Sequence, residues 1–301
     1  MTEKNGILLL NKPEDLSSNT AVNIVKKIFL AKKAGHTGTL DPFAQGLLPI
    51  CLNKGTKIVR YLMEKDKEYT ATIRLGYETD TLDKTGKIID KAEIPCLTLE
   101  KIETAMEKFR GKINQIPPAY SALKHNGIPL YKYARKGEMI EKPPREINIY
   151  ELETTFFDYD VLKIRIKCSK GTYIRTLASD LAKELGTLGH LEMLTRTKTG
   201  SFNLENSFTL ESLREKQKYD MLEDCIISIE DATESLCSIV IEDNIEQAVS
   251  NGKKIEVKEI LKNIFIEEDT PFRLLTKNNQ IKAFVRIEKN SNFLKYDAVF
   301  N

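Results

Sequence analysis

At 301 residues the chain is long enough for one large domain or two, and 41% hydrophobic residues suffice for a core. No apolar run nears the roughly 20 residues that a membrane span needs, and the apolar part of "MTEKNGILLLNKPEDLSS" is too short for a signal peptide, so a cytoplasmic protein without membrane association is expected. The net charge of +2 hides an asymmetry: residues 1–200 carry 33 Lys+Arg against 25 Asp+Glu (+8), residues 201–301 carry 13 against 19 (−6), and only the first part suits a polyanionic partner.

In chain order, "GILLLNKP" reads as a short buried strand ended by Pro13. "SSNTAVNIVKKIF" follows as a helix, with Ser17, Ser18 or Asn19 as its cap and Ala21, Val22, Ile24, Val25 and Ile28 at helical spacing. "AGHTGTLDPFAQGLLPI" (34–50) is expected as an irregular loop. "EYTATIRLGYET" alternates Tyr69, Ala71, Ile73 and Leu75 against polar residues, the pattern of a half-buried strand, and "TLDKTGKII" reads as a turn between strands. "TLEKIETAMEKFRGK" predicts an amphipathic helix closed by Gly111. Residues 115–138 predict a loop leading into a short helix around Leu130 to Arg135. "DVLKIRIKCSKGTYIRTLASDLAKELGT" predicts a strand, a glycine turn and a helix ended by Gly186. Strands and helices mix without a βαβ repeat, which favours α+β, with a mixed, largely antiparallel sheet flanked by helices. Beyond residues 215–235 the strand-like pieces "SIVIE", "KIEV", "FRLLT" and "KAFVRIE" predict a small β-rich C-terminal domain. The boundaries expected are 1–232 and 233–301.

Five scattered cysteines (Cys51, Cys96, Cys168, Cys225 and Cys237) without a CxxC pair argue against a disulfide framework and a zinc site, and three distant histidines argue against a His-rich metal centre. No metal and no cofactor is expected.

Four features carry chemistry, and each also has an ordinary structural reading. Asp41 precedes a proline, as turn and capping residues do. Gly35, Gly38 and Gly46 around it allow a ligand close to the backbone, but they also mark plain turns. Arg175 sits just inside a helix start, where the dipole does not favour a cation. It either faces solvent or serves a carboxylate or phosphate. Tyr69 lies on the apolar side of a strand, the usual place of a core tyrosine. The segment with Tyr120, Lys124, His125, Tyr131, Lys132, Tyr133, Arg135 and Lys136 interleaves cations with rings. That suits phosphates and stacked bases, and equally a solvated basic helix.

Five blocks occur together in order: "LLLNKPEDLSS" (8–18), "GHTGTLDPFAQGLLPICLNKGTKI" (35–58), "KEYTATIRLGYETDTLDKTG" (67–86), "PPAYSALKHNGIPLYKYARKG" (117–137) and "KCSKGTYIRTLASDLAKELGTLGHLEMLTRTKTGSF" (167–202). In this combination the chain resembles the TruB family of tRNA pseudouridine-55 synthases, and its tail is similar to the PUA-type RNA-binding domain often found in them. The resemblance implies a pseudouridine synthase fold and a catalytic aspartate at Asp41. It places an active-site tyrosine at Tyr69 and the arginine that pairs with the aspartate at Arg175. Tyr173 lies beside that arginine, Leu194 lines the uracil pocket, and His36 lies near the space vacated by the flipped base. Lys12, Lys124 and Arg135 complete the expected substrate-binding set. The implied partner is the T stem-loop of tRNA, with no obligate protein partner and a monomeric enzyme. The implied reaction detaches uracil from C1′, turns it and rejoins it through C5.

Such chemistry needs an ionised carboxylate. Arg175 beside Asp41 is expected to lower its pKa by about 1–3 units. Attack of Asp41 on the sugar and a base role in a glycal route both remain open. Two other readings also stand: a tRNA-binding folding factor, and a synthase for another RNA.

Overall fold

The computed structural model describes residues 3–261 and 264–300. The first strand, β1 (Gly6–Lys12), has a core on each side: Leu8 and Leu10 face the main cluster, Ile7 and Leu9 a second one. That two-sided burial is why its sequence is continuously apolar rather than alternating. Ser17 caps α1 (Ser18–Ile28) by accepting the Thr20 N–H, and Ala21, Val22, Val25 and Ile28 form the buried stripe.

Residues 34–50 are only partly a loop. Ala34–His36 form β2 and Gln45–Leu52 form β3, and both belong to the main sheet. The run Leu47–Leu52 is buried on both faces like β1, its antiparallel neighbour, which is why it is a strand. Residues 37–44 remain irregular.

Next come α2 (Val59–Met63), β4 (Lys67–Leu75), and a hairpin of β5 (Tyr77–Thr79) and β6 (Ile88–Lys91). The expected helix is α3 (Leu99–Glu107), but it stops before Gly111. Lys108 to Arg110 follow it as turns bonded three residues back, and Gly111, at φ +81, opens β7 (Gly111–Gln115), which pairs with residues 145–149. A small hairpin of β8 (Lys124–His125) and β9 (Ile128–Pro129) leads into α4 (Leu130–Ala134), as expected for the short helix. There follow β10 (Arg145–Asp158), β11 (Val161–Cys168), α5 (Ile174–Glu184), β12 (Gly189–Thr199), β13 (Phe202–Asn203), α6 (Leu210–Lys218), β14 (Ile226–Ile227) and α7 (Ile229–Ala232).

The main sheet runs β14-β1-β3-β12-β4-β11-β10-β7, with β2 added to β3 and β13 to β12. Its joins are antiparallel except β3–β12. This is the α+β arrangement the sequence predicts. The parallel join brings the strand that follows the Asp41 loop beside the strand carrying Leu194, and it requires Gly46. At φ +101, a Cβ there would stand 2.5 Å from the Arg196 carbonyl oxygen.

The tail forms a second sheet of β15 (Ser238–Val240), β16 (Phe272–Leu275), β17 (Ile281–Ile287) and β18 (Leu294–Val299), together with α8 (Asp243–Ser250) and α9 (Val257–Leu261). "KIEV" is not a strand: Glu256 makes one isolated bridge to Phe293, and Val257 begins α9. The unanticipated α8 buries Ile245 and Val249, one helical turn apart. The tail packs Phe284, Leu275 and Ile281 onto α2 and the outer faces of β1 and β3. The rings of Tyr61 and Phe284 stack with centroids 5.1 Å apart. Asp297, 3% exposed, receives Arg60 at 3.0 Å, Arg286 at 3.3 Å and the Tyr61 hydroxyl at 2.9 Å.

Candidate active site

Residues 37–44 hold Asp41 by three anchors. Ser18, at the start of α1, bonds both the N–H and the carbonyl of Leu40 at 2.8 Å. Lys12 Nζ donates to the Pro42 carbonyl at 3.2 Å, and Arg196 Nη2 donates to the Gly38 carbonyl at 3.1 Å. The carboxylate is thus presented by a loop with little freedom, at the edge of a cleft of about 590 Å³.

Arg175 reaches Asp41 Oδ2 through Nε at 2.9 Å, while its own side chain is only 5% exposed. Nη1 donates to the Thr81 carbonyl at 2.8 Å and lies 3.5 Å from Asp83 Oδ2; Nη2 donates to the Tyr120 carbonyl at 2.7 Å. A cation near the start of α5 is therefore satisfied by two carboxylates and two carbonyls. Asp83 is fixed in turn, its Oδ1 accepting from the Thr81 and Thr85 hydroxyls and the Thr85 N–H. The expected lowering of the Asp41 pKa is overturned. Burial pushes the carboxyl up, Arg175 offsets part of the rise, and Asp83 adds to it.

Tyr69 on β4 is buried, and its hydroxyl lies against the Arg196 guanidinium. Leu194 on β12 and Tyr173, the residue preceding α5, complete the wall. Gln115 holds the Tyr173 backbone by a two-way pair, accepting its N–H at 2.8 Å and donating to its carbonyl at 3.0 Å. Asp41, Tyr69, Arg175, Tyr173 and Leu194, far apart in sequence, thus line one cleft.

Four predicted residues lie elsewhere. Lys12 is fully buried outside the cleft lining, and its ammonium donates to the carbonyls of Pro13, Leu16 and Pro42. Burial brings its pKa down to about 8. His36 sits on β2 with Nδ1 accepting the Gly38 N–H at 3.3 Å, half-buried and outside the cleft lining. Lys124 and Arg135 are exposed on the β8–β9 hairpin and at the end of α4, with Arg135 over the Tyr131 ring. The space beside Gly46 is filled by β12 rather than left for a ligand.

Sequence reasoning missed Asp83, Arg196 and Lys67. All three stand inside the quoted blocks, in "DTLDKTG", "MLTRTKTG" and "KEYTATIRLG", but nothing local marks them as buried. Among the described residues no three His, Cys, Asp or Glu side chains form a group that could hold a metal ion. None of the helices among these residues is long and apolar enough to cross a membrane. The arrangement offers an anion held against a guanidinium, an aromatic ring and an apolar side chain in one recess. That set suits a flat, uncharged ring bonded to a reacting carbon.

Two family models match the chain: the N-terminal domain of the TruB family pseudouridylate synthases over residues 26–174, and the tRNA pseudouridylate synthase B C-terminal domain over residues 175–234. The join falls between Ile174 and Arg175, so the cleft draws on both. A tRNA pseudouridine synthase B from Francisella philomiragia subsp. philomiragia is 58% identical over 212 residues, 70% of each chain. That of Francisella tularensis subsp. novicida is 57% identical over the same span. Among solved structures, a Cbf5-Nop10-Gar1 complex matches with TM-score 0.77 at 26% identity, over 99% of this chain and 85% of that one. An H/ACA RNP bound to a substrate RNA containing 2′-deoxyuridine matches with TM-score 0.75 at 25% identity, over 99% and 86%.

Proposed function

The chain belongs to the TruB family of pseudouridylate synthases and is an isomerase that modifies tRNA, and we propose that its target is uridine 55 of the T loop. The observation that carries the catalytic reading is the 2.9 Å Asp41–Arg175 pair in a cleft walled by Tyr69 and Leu194. The target uridine leaves its stack, at a cost of a few kcal/mol, and its base enters between the Tyr69 ring and Leu194. Asp41, kept ionised against burial by Arg175, acts at the sugar, C1′–N1 breaks, the base turns, and C1′–C5 forms. The proton lost from C5 goes to N1 in net terms, so the reaction needs no redox partner. Tyr69 supports the base and Tyr173 borders it. Lys124 and Arg135 take phosphates of the T stem, His36 stands by the vacated position, and Lys12 holds the Asp41 loop.

The enzyme acts as a cytoplasmic monomer on this reading. Its synthase domain is residues 1–232, and residues 233–301 form a PUA-like RNA-binding domain. The test is tRNA transcript tritiated at uracil C5: wild type releases tritium and Asp41→Asn does not. Equal release by both would remove Asp41 from the chemistry, and mapping the pseudouridine to another position would remove uridine 55.

A further inference from the structure

Two buried cations line the cleft without an anion. Lys67 is 7% exposed and Arg196 1%, and among the described residues neither forms an ion pair. Lys67 Nζ spends two of its three N–H groups on the carbonyls of Met63 and Lys65. Arg196 Nε donates to the Leu47 carbonyl at 2.7 Å and Nη2 to that of Gly38, and the guanidinium also meets the neutral Tyr69 hydroxyl. Carbonyls bind cations without neutralising them, and a buried unpaired charge is costly. The Lys67 pKa accordingly comes down to about 8, by burial first and then by the charge of Arg196, against a weaker pull from Cys168 and Asp66.

A third group points the same way. Thr37 is 1% exposed, borders the cleft, and its Oγ1 has no hydrogen-bond partner among the described residues. The two cations converge on Gly38, where a Cβ would stand 3.5 Å from Arg196 Nη1 and 4.0 Å from Lys67 Cε, at a φ of +150 that favours glycine. Two uncompensated cations, a free hydroxyl and a glycine without a side chain make a small anion-binding recess.

We propose that Lys67, Arg196 and Thr37 form a subsite for a backbone phosphodiester adjoining the uridine extruded into the cleft. The inference rests on the reading of this cleft as the RNA isomerisation site. The competing role for Lys67 is a plain staple for the Met63 and Lys65 carbonyls.

Equilibrium binding of T-arm stem-loop RNA separates the two. One set of RNAs carries a single uncharged methylphosphonate at the phosphate 5′ or 3′ to the target uridine. Hydrogen bonds to charged groups are worth about 1.5–3 kcal/mol, so Lys67→Met weakens native RNA binding roughly 10- to 100-fold. The methylphosphonate at one of the two positions weakens wild-type binding comparably, and the two changes together cost little more than either alone. Thr37→Val, which keeps the fold's shape, gives a smaller loss with the same non-additivity, and Lys67→Arg recovers most of the binding. Fully multiplicative penalties at both phosphates, for Lys67→Met and Thr37→Val alike, overturn the subsite and leave Lys67 a staple. So does unchanged binding by both variants. Tritium release on the native RNA is followed in parallel: binding that obeys the cycle without release would refute the isomerase reading and keep the subsite.

Discussion

Two parts of one cleft handle charge in contrasting ways. Around Asp41 the charges are paired: Arg175 stands between two carboxylates, and Asp83 is tied down by two threonines. Around Gly38 the cations Lys67 and Arg196 are met, among the described residues, by carbonyls and the Tyr69 hydroxyl, with no carboxylate paired to either. The paired half is preorganised, so charge can redistribute during a reaction with little rearrangement of its dipoles. The unpaired half bears an electrostatic cost in the free protein that an arriving anion relieves. On the proposed function, the contrast separates groups that act on a reacting bond from groups that recognise what carries it.

The largest effect that would break this contrast is at Asp41. Asp41→Asn should lower tritium release on the order of 10⁴-fold or more, yet leave the melting temperature unchanged or raised. Burial raises the folded-state pKa above that of the unfolded chain, so the folded protein holds the proton more tightly. Its contribution to stability is present at low pH and lost as pH rises through the folded pKa. A neutral Asn removes that loss. A melting temperature several degrees lower in calorimetry would make Asp41 a stabilising member of the network instead.

Arg175→Leu strips both carboxylates of their cation. It should cost roughly 10²- to 10³-fold in kcat/KM and about 3–5 kcal/mol of stability, the range for breaking a buried pair. A loss of stability alone, with kcat/KM intact in the folded fraction, would reduce Arg175 to a structural strut.

The pH profile sharpens the same comparison. With the Asp41 pKa raised, the acid limb of kcat/KM should lie above the ordinary carboxylate range, activity falling as pH drops through it. A limb at or below that range would mean that Arg175 outweighs burial after all.

The smallest catalytic effect is expected far from both halves. Asp297→Ala removes the acceptor that joins Arg60, Arg286 and Tyr61, and should cost about 2 kcal/mol in denaturant unfolding. Single-turnover release should stay within about threefold of wild type. A larger catalytic loss would show that the tail, through α2, shapes the cleft wall at Met63.

Much of the fold was legible because local patterns carry it. The Ser17 cap, the stripe of α1, the alternation along β4 and the turn before α5 each repeat at a period that one face of an element imposes. Where the reading failed, a distant contact had changed the local outcome. Gly111 begins a strand because β7 pairs with β10, and residues 45–52 are a strand because β1 and β12 flank them. The helix α8 instead follows a local pattern, Ile245 and Val249 buried one turn apart.

For the site, the resemblance carried by the ordered sequence blocks singled out Asp41, Tyr69, Tyr173, Arg175 and Leu194, and these five line one cleft. Only the tertiary structure decided their electrostatics. Whether a lysine is a surface cation or a buried staple depends on the carbonyls folded around it, and Lys12 lies beneath the surface with its ammonium on three of them. Whether Arg175 lowers or merely restrains the Asp41 pKa depends on the water excluded by the surrounding chain. Desolvation is a property of the assembled protein, summed over segments that no local stretch of sequence contains.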